Sequence, residues 1–275
     1  MRIVADSSCD LYSLDFEDFK TVPLKVYTTE KSFNDDPDLD IGSMLDYLEK
    51  YNGRSFTSCP SIDAWLETFE GADEVFAITI TSALSGSYNS AVNAAAIYKE
   101  ENPNAKVSVI DSLSTGAEEI LAIFKLKELI SQGLSFKTID VKIREYIRKS
   151  RLFFSFYSLH NLAQNGRVNK TFAGVMNVLN IVITGTASQE GKIDVTGRTR
   201  GEKKSIQVLI NDMKNAGYAG GKAIITHVQN ETAANNLKQE VLKLYPDADI
   251  KIFPARGLCS YYMERKGVVI SCETQ

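Results

Sequence analysis

Glu74-Val75-Phe76-Ala77-Ile78-Thr79-Ile80, then Thr81-Ser82-Ala83-Leu84-Ser85-Gly86-Ser87, then the alanine-rich run from Ser90 to Glu101, read as a strand, a hydroxyl-rich loop and a helix in direct succession. A short apolar run bounded by turn residues predicts a buried strand, and apolar residues at helical spacing predict the helix. The same order recurs on both sides. Arg2 to Ala5 is a strand candidate followed by Asp6-Ser7-Ser8-Cys9-Asp10, and Lys106 to Ile110 is another followed by Asp111-Ser112-Leu113-Ser114-Thr115-Gly116. Strands alternating with helices argue for a parallel sheet with crossover helices.

Working outward, Val22 to Tyr27 is a further strand candidate, and Glu118 to Gln132 and Ile139 to Lys149 are helices by their apolar spacing. Beyond residue 150 the character changes. Phe153 to Phe156 is a short aromatic run, Asn165-Gly166 marks a turn, and Ile193 to Thr196 follows the turn signal Glu190-Gly191. A charged helix over Glu202 to Asn215, a strand over Lys222 to Thr226, a helix over Glu231 to Leu244, and strands at Asp249 to Phe253 and Gly267 to Ser271 complete the pattern. The expected fold is α/β with two domains: residues 1–157 on a parallel sheet and residues 158–275 on a mixed sheet, with a ligand site between them.

In a parallel sheet the three hydroxyl-rich loops converge at one edge, where ligands bind outside the carboxyl ends of the strands. Each loop leads into a helix, so free N–H groups and the positive dipole end point the same way and suit an anion. Taken singly, each loop reads as a helix cap. Three together, with a fourth at Thr57-Ser58-Cys59-Pro60-Ser61, point to a site. Neither GxGxxG nor a lysine-bearing P-loop is present and no basic residue lies inside the four loops, which favours a carboxylate over a polyphosphate.

Composition narrows the classes. The 275 residues suffice for two domains, and 44% hydrophobic with 24% charged residues supports a sizeable core. The net charge of -4 comes from interspersed signs, against nucleic-acid binding. The apolar stretch from Phe172 to Thr186 is too short and too polar to span a bilayer, and the first residues lack a signal-peptide pattern, so a cytoplasmic location without an integral membrane segment is expected. The four cysteines form no CxxC pair and the two histidines have no ligand spacing, so neither disulfides nor a metal site is expected.

Read in order along the chain, Asp6-Ser7-Ser8-Cys9-Asp10-Leu11, Val22-Pro23-Leu24, Thr57-Ser58-Cys59-Pro60-Ser61, Leu84-Ser85-Gly86-Ser87-Tyr88-Asn89-Ser90-Ala91, Ile110-Asp111-Ser112 and Asn165-Gly166-Arg167-Val168 form a set. Each is weak alone; as an ordered set it resembles the DegV family of bacterial proteins, which includes the fatty-acid-binding subunits of fatty acid kinase. The resemblance implies the EDD fold, a buried acyl chain, and a carboxylate held by Thr57, Ser58, Ser85 and Ser87, with Cys259 standing where the family has a histidine. Ser7, Ser112, Arg167 and His227 come second, and Arg198 and Arg200 would face a partner. It implies a long-chain fatty acid as ligand, no cofactor, no catalytic residue of its own, and an ATP-dependent fatty acid kinase subunit as partner. Ser260, Tyr261 and Tyr262 are further candidates around the altered Gly257-Leu258-Cys259 run.

Two other classes stay open at this point. Ser85 with His227 and an aspartate would make a small-molecule hydrolase, though no GxSxG elbow exists. Alternatively the chain binds another lipid, or a protein through Arg198 and Arg200. The stripe Phe172, Val175, Met176 and Leu179, like Phe153, Phe154 and Phe156, reads as core or as an acyl-tunnel wall.

Overall fold

β1 (Arg2–Asp6) is buried at every position, as a strand covered on both faces must be. The structure, a computed structural model, describes residues 1–169 and 180–275. A one-turn 3-10 helix at Ser7–Cys9 follows β1, and then come β2 (Phe19–Val22), β3 (Lys25–Tyr27), β4 (Ser32–Asn34), α1 (Ile41–Lys50), β5 (Phe56–Ser58) and α2 (Ile62–Phe69). The decisive stretch is β6 (Glu74–Thr79) and α3 (Ser87–Glu101), followed by β7 (Lys106–Asp111), α4 (Ala117–Ser131) and α5 (Phe136–Arg148). β2, β1, β6 and β7 pair in that order, all parallel. β4, β3 and β5 form a small antiparallel sheet beside them.

The second sheet is built from β8 (Ser150–Phe156), β9 (Ile181–Ala187), β10 (Ile193–Arg200), β11 (Ala223–His227), β12 (Ile250–Pro254) and β13 (Val268–Glu273). Its order is β10-β9-β8-β13-β11-β12, antiparallel throughout except for the β11–β12 pair. The helices here are α6 (His160–Gln164), α7 (Glu202–Asn215), α8 (Glu231–Leu244) and α9 (Gly257–Met263). The fold is therefore the α/β arrangement with one parallel and one mixed sheet. The change of sheet comes at Ser150, ahead of residue 157.

α4 sits between the sheets. It touches β1 and β6 on one side and β8, β11 and β13 on the other. Ile120, Leu121, Ile123 and Leu126 are all buried, which is the pattern of a helix enclosed on every face. Its N-terminal turn therefore opens into the space between the layers. α9 belongs to the second half by sequence but packs on α1, β3 and the Ser7–Cys9 turn of the first.

Two details differ from the sequence reading. The strand expected over Val22 to Tyr27 is two strands, because Pro23 offers no N–H to a ladder and the chain turns there. The end of the apolar run before Thr186 is strand β9, central between β8 and β10. Phe172, Val175, Met176 and Leu179 lie outside the described residues.

Candidate functional site

Gly86 places two of the loops against each other. A Cβ at that position would lie 3.2 Å from Cys59 Sγ, so the absence of a side chain lets Cys59, just after β5, reach the start of α3. Thr57 is fixed from the other side, its Oγ1 2.7 Å from the Tyr262 hydroxyl on α9. Ser85 Oγ accepts the Ser87 N–H at 3.3 Å, so its own proton points elsewhere. These hydroxyls stand on the wall of a cavity of about 280 Å3 between the loop edge of the parallel sheet and the face of the mixed sheet.

Most of the remaining wall is apolar. Leu152, Phe154 and Phe156 of β8 line it, with Ile193 of β10, Val269 of β13 and Met263 of α9. The Phe154 and Phe156 rings stack with centroids 4.4 Å apart. Ser58, Ser85, Thr57, Tyr262 and Arg167 are among the polar groups on the wall. Arg167 Nε donates to Leu84 O at 3.1 Å and Nη1 donates to Asn165 O, which ties the loop before Ser85 to the end of α6. An apolar enclosure with a few convergent polar groups is the usual form of a small-molecule site.

α9 is held in place by Asp35. Its carboxylate accepts the Gly257 and Leu258 N–H groups at 2.7 and 2.8 Å and the Tyr12 hydroxyl at 2.7 Å. A Cβ at Gly257 would lie 2.6 Å from Asp35 Oδ1, so the close approach needs glycine. On the same helix Tyr261 bonds Ser55 and Asn165 at 2.7 and 2.9 Å, turned away from the cavity that Tyr262 lines. Ser260 donates to Ala255 O and is fully buried.

Thr57, Ser58, Ser85, Arg167 and Cys259 all stand on the cavity wall. Cys259 Sγ donates to Ser8 O at 3.3 Å and lies 3.6 Å from Thr115 Oγ1. Burial pushes its thiol well above the ordinary range, which leaves it neutral and unsuited to nucleophilic work. Four candidates fall elsewhere. Ser87 is wholly buried and donates to Asp6 Oδ2 at 2.6 Å, because α3 starts at this residue and turns its side chain inward. Ser7 Oγ accepts the Leu24 N–H at 3.0 Å, which ties its turn to the segment between β2 and β3, and Ser112 Oγ donates to Ser114 O at 2.9 Å, which closes its own turn. His227 Nδ1 accepts the Asn230 N–H at 3.2 Å and lies off the wall that carries Ser85, so the imagined hydrolase triad does not assemble. Arg198 and Arg200 are exposed two residues apart on β10 and therefore share a face.

The sequence reading passed over Tyr262 as a pair for Thr57, and over Thr226 and Lys192 on the wall, which Ser114 and Thr115 of the third hydroxyl-rich loop also line. Lys192 had a signal of its own, since it ends the Glu190-Gly191 turn. Gly191 packs that turn onto the first loop, where a Cβ would overlap Thr81. Among the described residues no cluster of His, Cys, Asp and Glu could hold a metal ion, and no helix is long and apolar enough to cross a membrane.

Comparison with known proteins gives a consistent answer. The model of the family described as "Uncharacterised protein, DegV family" matches residues 1–274. A DegV domain-containing protein of Streptococcus pneumoniae strain R6 is 41% identical over 99% of this chain and 98% of its own length. A DegV family protein from Eubacterium eligens, solved loaded with heptadecanoic acid, superposes with a TM-score of 0.98 at 49% identity, covering 100% of this chain and 99% of that one. The Fatty Acid Kinase (Fak) B3 protein of Streptococcus pneumoniae, solved loaded with linoleic acid, has a TM-score of 0.97 at 40% identity, with 100% and 99% covered.

Proposed function

The chain belongs to the DegV family, and from that premise we propose that it binds one long-chain fatty acid in the cavity between its sheets. The carboxylate is held by the hydroxyls of Thr57, Ser58 and Ser85, and the acyl chain runs along Leu152, Phe154, Phe156 and Val269. The observation that carries this reading is the cavity itself: a largely apolar wall that also carries the hydroxyls of Thr57, Ser58 and Ser85 and the guanidinium of Arg167. If Tyr262 donates to Thr57 Oγ1, the threonine proton is free for the ligand, as the Ser85 proton is.

The energetics suit a lipid. Burying a chain of about sixteen carbons at roughly 0.8 kcal/mol per CH2 outweighs the cost of ordering it. The polar groups then set orientation more than affinity. In keeping with its likeness to the 40% identical protein named for fatty acid kinase, the chain is proposed to act as a non-catalytic component that presents the acid to a separate ATP-using subunit. Arg198 and Arg200 on the exposed face of β10 would meet that subunit. The location in keeping with this role is the cytoplasm.

Ser85→Ala is expected to weaken fatty acid binding roughly tenfold, the loss of about one hydrogen bond to a charged group, with an unchanged denaturation midpoint. Displacement of a fluorescent fatty acid measures the first and thermal unfolding of the ligand-free protein the second. Equal affinity in the variant removes Ser85 from the anchor. A wild-type protein that takes up no fatty acid, and carries none when examined by native mass spectrometry, overturns the ligand class.

A further inference from the structure

Behind the Ser85 loop lies a group of buried acids that the binding reading does not use. Ser8 Oγ stands 2.6 Å from Asp6 Oδ1 and 2.7 Å from Glu119 Oε1. A hydroxyl has one hydrogen and can donate to one of these oxygens only. The other contact needs a proton on a carboxyl. Two ionised acids cannot both sit at these distances from one hydroxyl.

The surroundings decide which acid carries it. Asp6 accepts the N–H groups of Ser8 and Ile80 at 3.2 and 3.0 Å and the hydroxyls of Ser8 and Ser87 at 2.6 Å each. Those donors stabilise its ionised form. Glu119 is wholly buried, forms none of the ion pairs among the described residues, and its Oε2 has no hydrogen-bond partner. A carbonyl oxygen of a neutral acid tolerates that position far better than an unpaired anionic oxygen. Asp6 and Asp111 also bear on Glu119 with like charge, and Asp10, Cys9 and Cys259 stand close by. The N-terminal turn of α4 favours a charge there, but burial without a cation outweighs it.

We propose that Glu119 holds a proton and donates it to Ser8, which donates in turn to Asp6, making Glu119 a positioning residue for the loop that presents Ser85. Asp6 grips Ile80 and Ser87, the residues that bracket Thr81 to Gly86. An ionised Glu119 turns Ser8 away from Asp6 and loosens that grip. It also places a second negative charge behind a site that receives an anion. The positioning role rests on the reading of Ser85 as the carboxylate anchor; the proton assignment does not.

The two parts are tested separately. Infrared difference spectroscopy of ligand-free wild-type protein against Glu119→Gln at neutral pH is expected to show a protonated-carboxyl C=O band lost in the variant, and absence of that band overturns the proton assignment. For positioning, Glu119→Leu removes the donor and is expected to weaken fatty acid binding roughly tenfold. Glu119→Gln, whose amide N–H can donate to Ser8, is expected to recover most of that loss. Equal affinities for the leucine and glutamine variants overturn the positioning role. If the leucine variant does not fold, Ser8→Ala takes its place, and affinity equal to wild type then overturns the role. Raising the pH should weaken binding by wild type more steeply than by the glutamine variant, in which Asp10, held up to about 8, still ionises; parallel profiles count against the proposal. If the C=O band is present but Ser85→Ala binds as wild type does, the anchor reading fails while the proton assignment stands.

Discussion

Asp6→Ala is expected to lower the free energy of unfolding by about 3–5 kcal/mol, the range found when one partner of a buried charged network is removed. Asp6 closes β1 and is fully buried. Four donor contacts converge on its two oxygens, from Ser8 N and Oγ, Ile80 N and Ser87 Oγ. Alanine leaves the Ile80 N–H and the two serine hydroxyls without their acceptor. The serines can turn to find others, but the backbone N–H of Ile80 cannot. Glu119, which faces the same hydroxyl, would be left with a different partner geometry. Urea unfolding of the ligand-free protein measures the effect as a shift in midpoint at constant slope. A loss below about 1 kcal/mol shows that water or rearranged serines replace the carboxylate, which removes Asp6 as the clamp of the Ser85 loop.

The sequence made the scaffold legible where local signals agreed with the tertiary fold. Glu202 to Asn215 and Glu231 to Leu244 were bounded by turn residues and carried helical spacing, and both helices have those ends. β1, β6 and β7 showed as short apolar runs before hydroxyl-rich loops because they are buried on both faces. The small sheet of β3, β4 and β5 was harder to see, since three-residue strands have no measurable period. α9 was hidden for another reason. It is a short helix capped by the side chain of Asp35, hundreds of residues away in sequence, and no local cap announces it.

Within the site, the loops were legible and the individual hydroxyls were not. Ser85 and Ser87 are two residues apart in one loop, yet one faces the cavity and the other faces Asp6. Which is which depends on where α3 begins, and helix ends are set by tertiary contacts as much as by composition. The buried acids were invisible for a related reason. Asp6, Asp10, Asp35 and Glu119 look like ordinary surface charge in a chain with 35 acidic residues, because burial is not written at a single position. Only the fold reveals that α4, α9 and the end of β1 bring them into one interior.

Asp10→Asn should stabilise the protein, and by more as the pH rises. Asp10 is buried, and burial together with the nearby charge of Asp35 pushes its carboxyl up to about 8. The folded protein therefore keeps a proton that the unfolded chain releases above its ordinary value of 3.8. With more protons bound in the folded state, stability falls as pH rises through that window. At about 1.4 kcal/mol per pH unit, the accumulated cost approaches roughly 5 kcal/mol near pH 8 and levels off above it. Asparagine has no proton to hold. Its carbonyl can still accept the Arg256 N–H, now received by Oδ1 at 2.7 Å. Its amide would stand where Oδ2 lies without a partner. The backbone agrees, because Asp10 has a φ of 57°, a left-handed conformation that asparagine adopts readily. Other groups slope the other way. Glu128, held down to about 2 by Lys125 and Lys222, contributes stability that is lost only on strong acidification. Subtracting the wild-type curve from the variant curve cancels such terms. Urea unfolding of both proteins at pH 5, 6, 7 and 8 should then give a difference that widens steadily in favour of asparagine. A difference that stays constant across those pH values means that Asp10 is ionised in the folded protein, and its burial beside Asp35 is compensated by a group other than a bound proton.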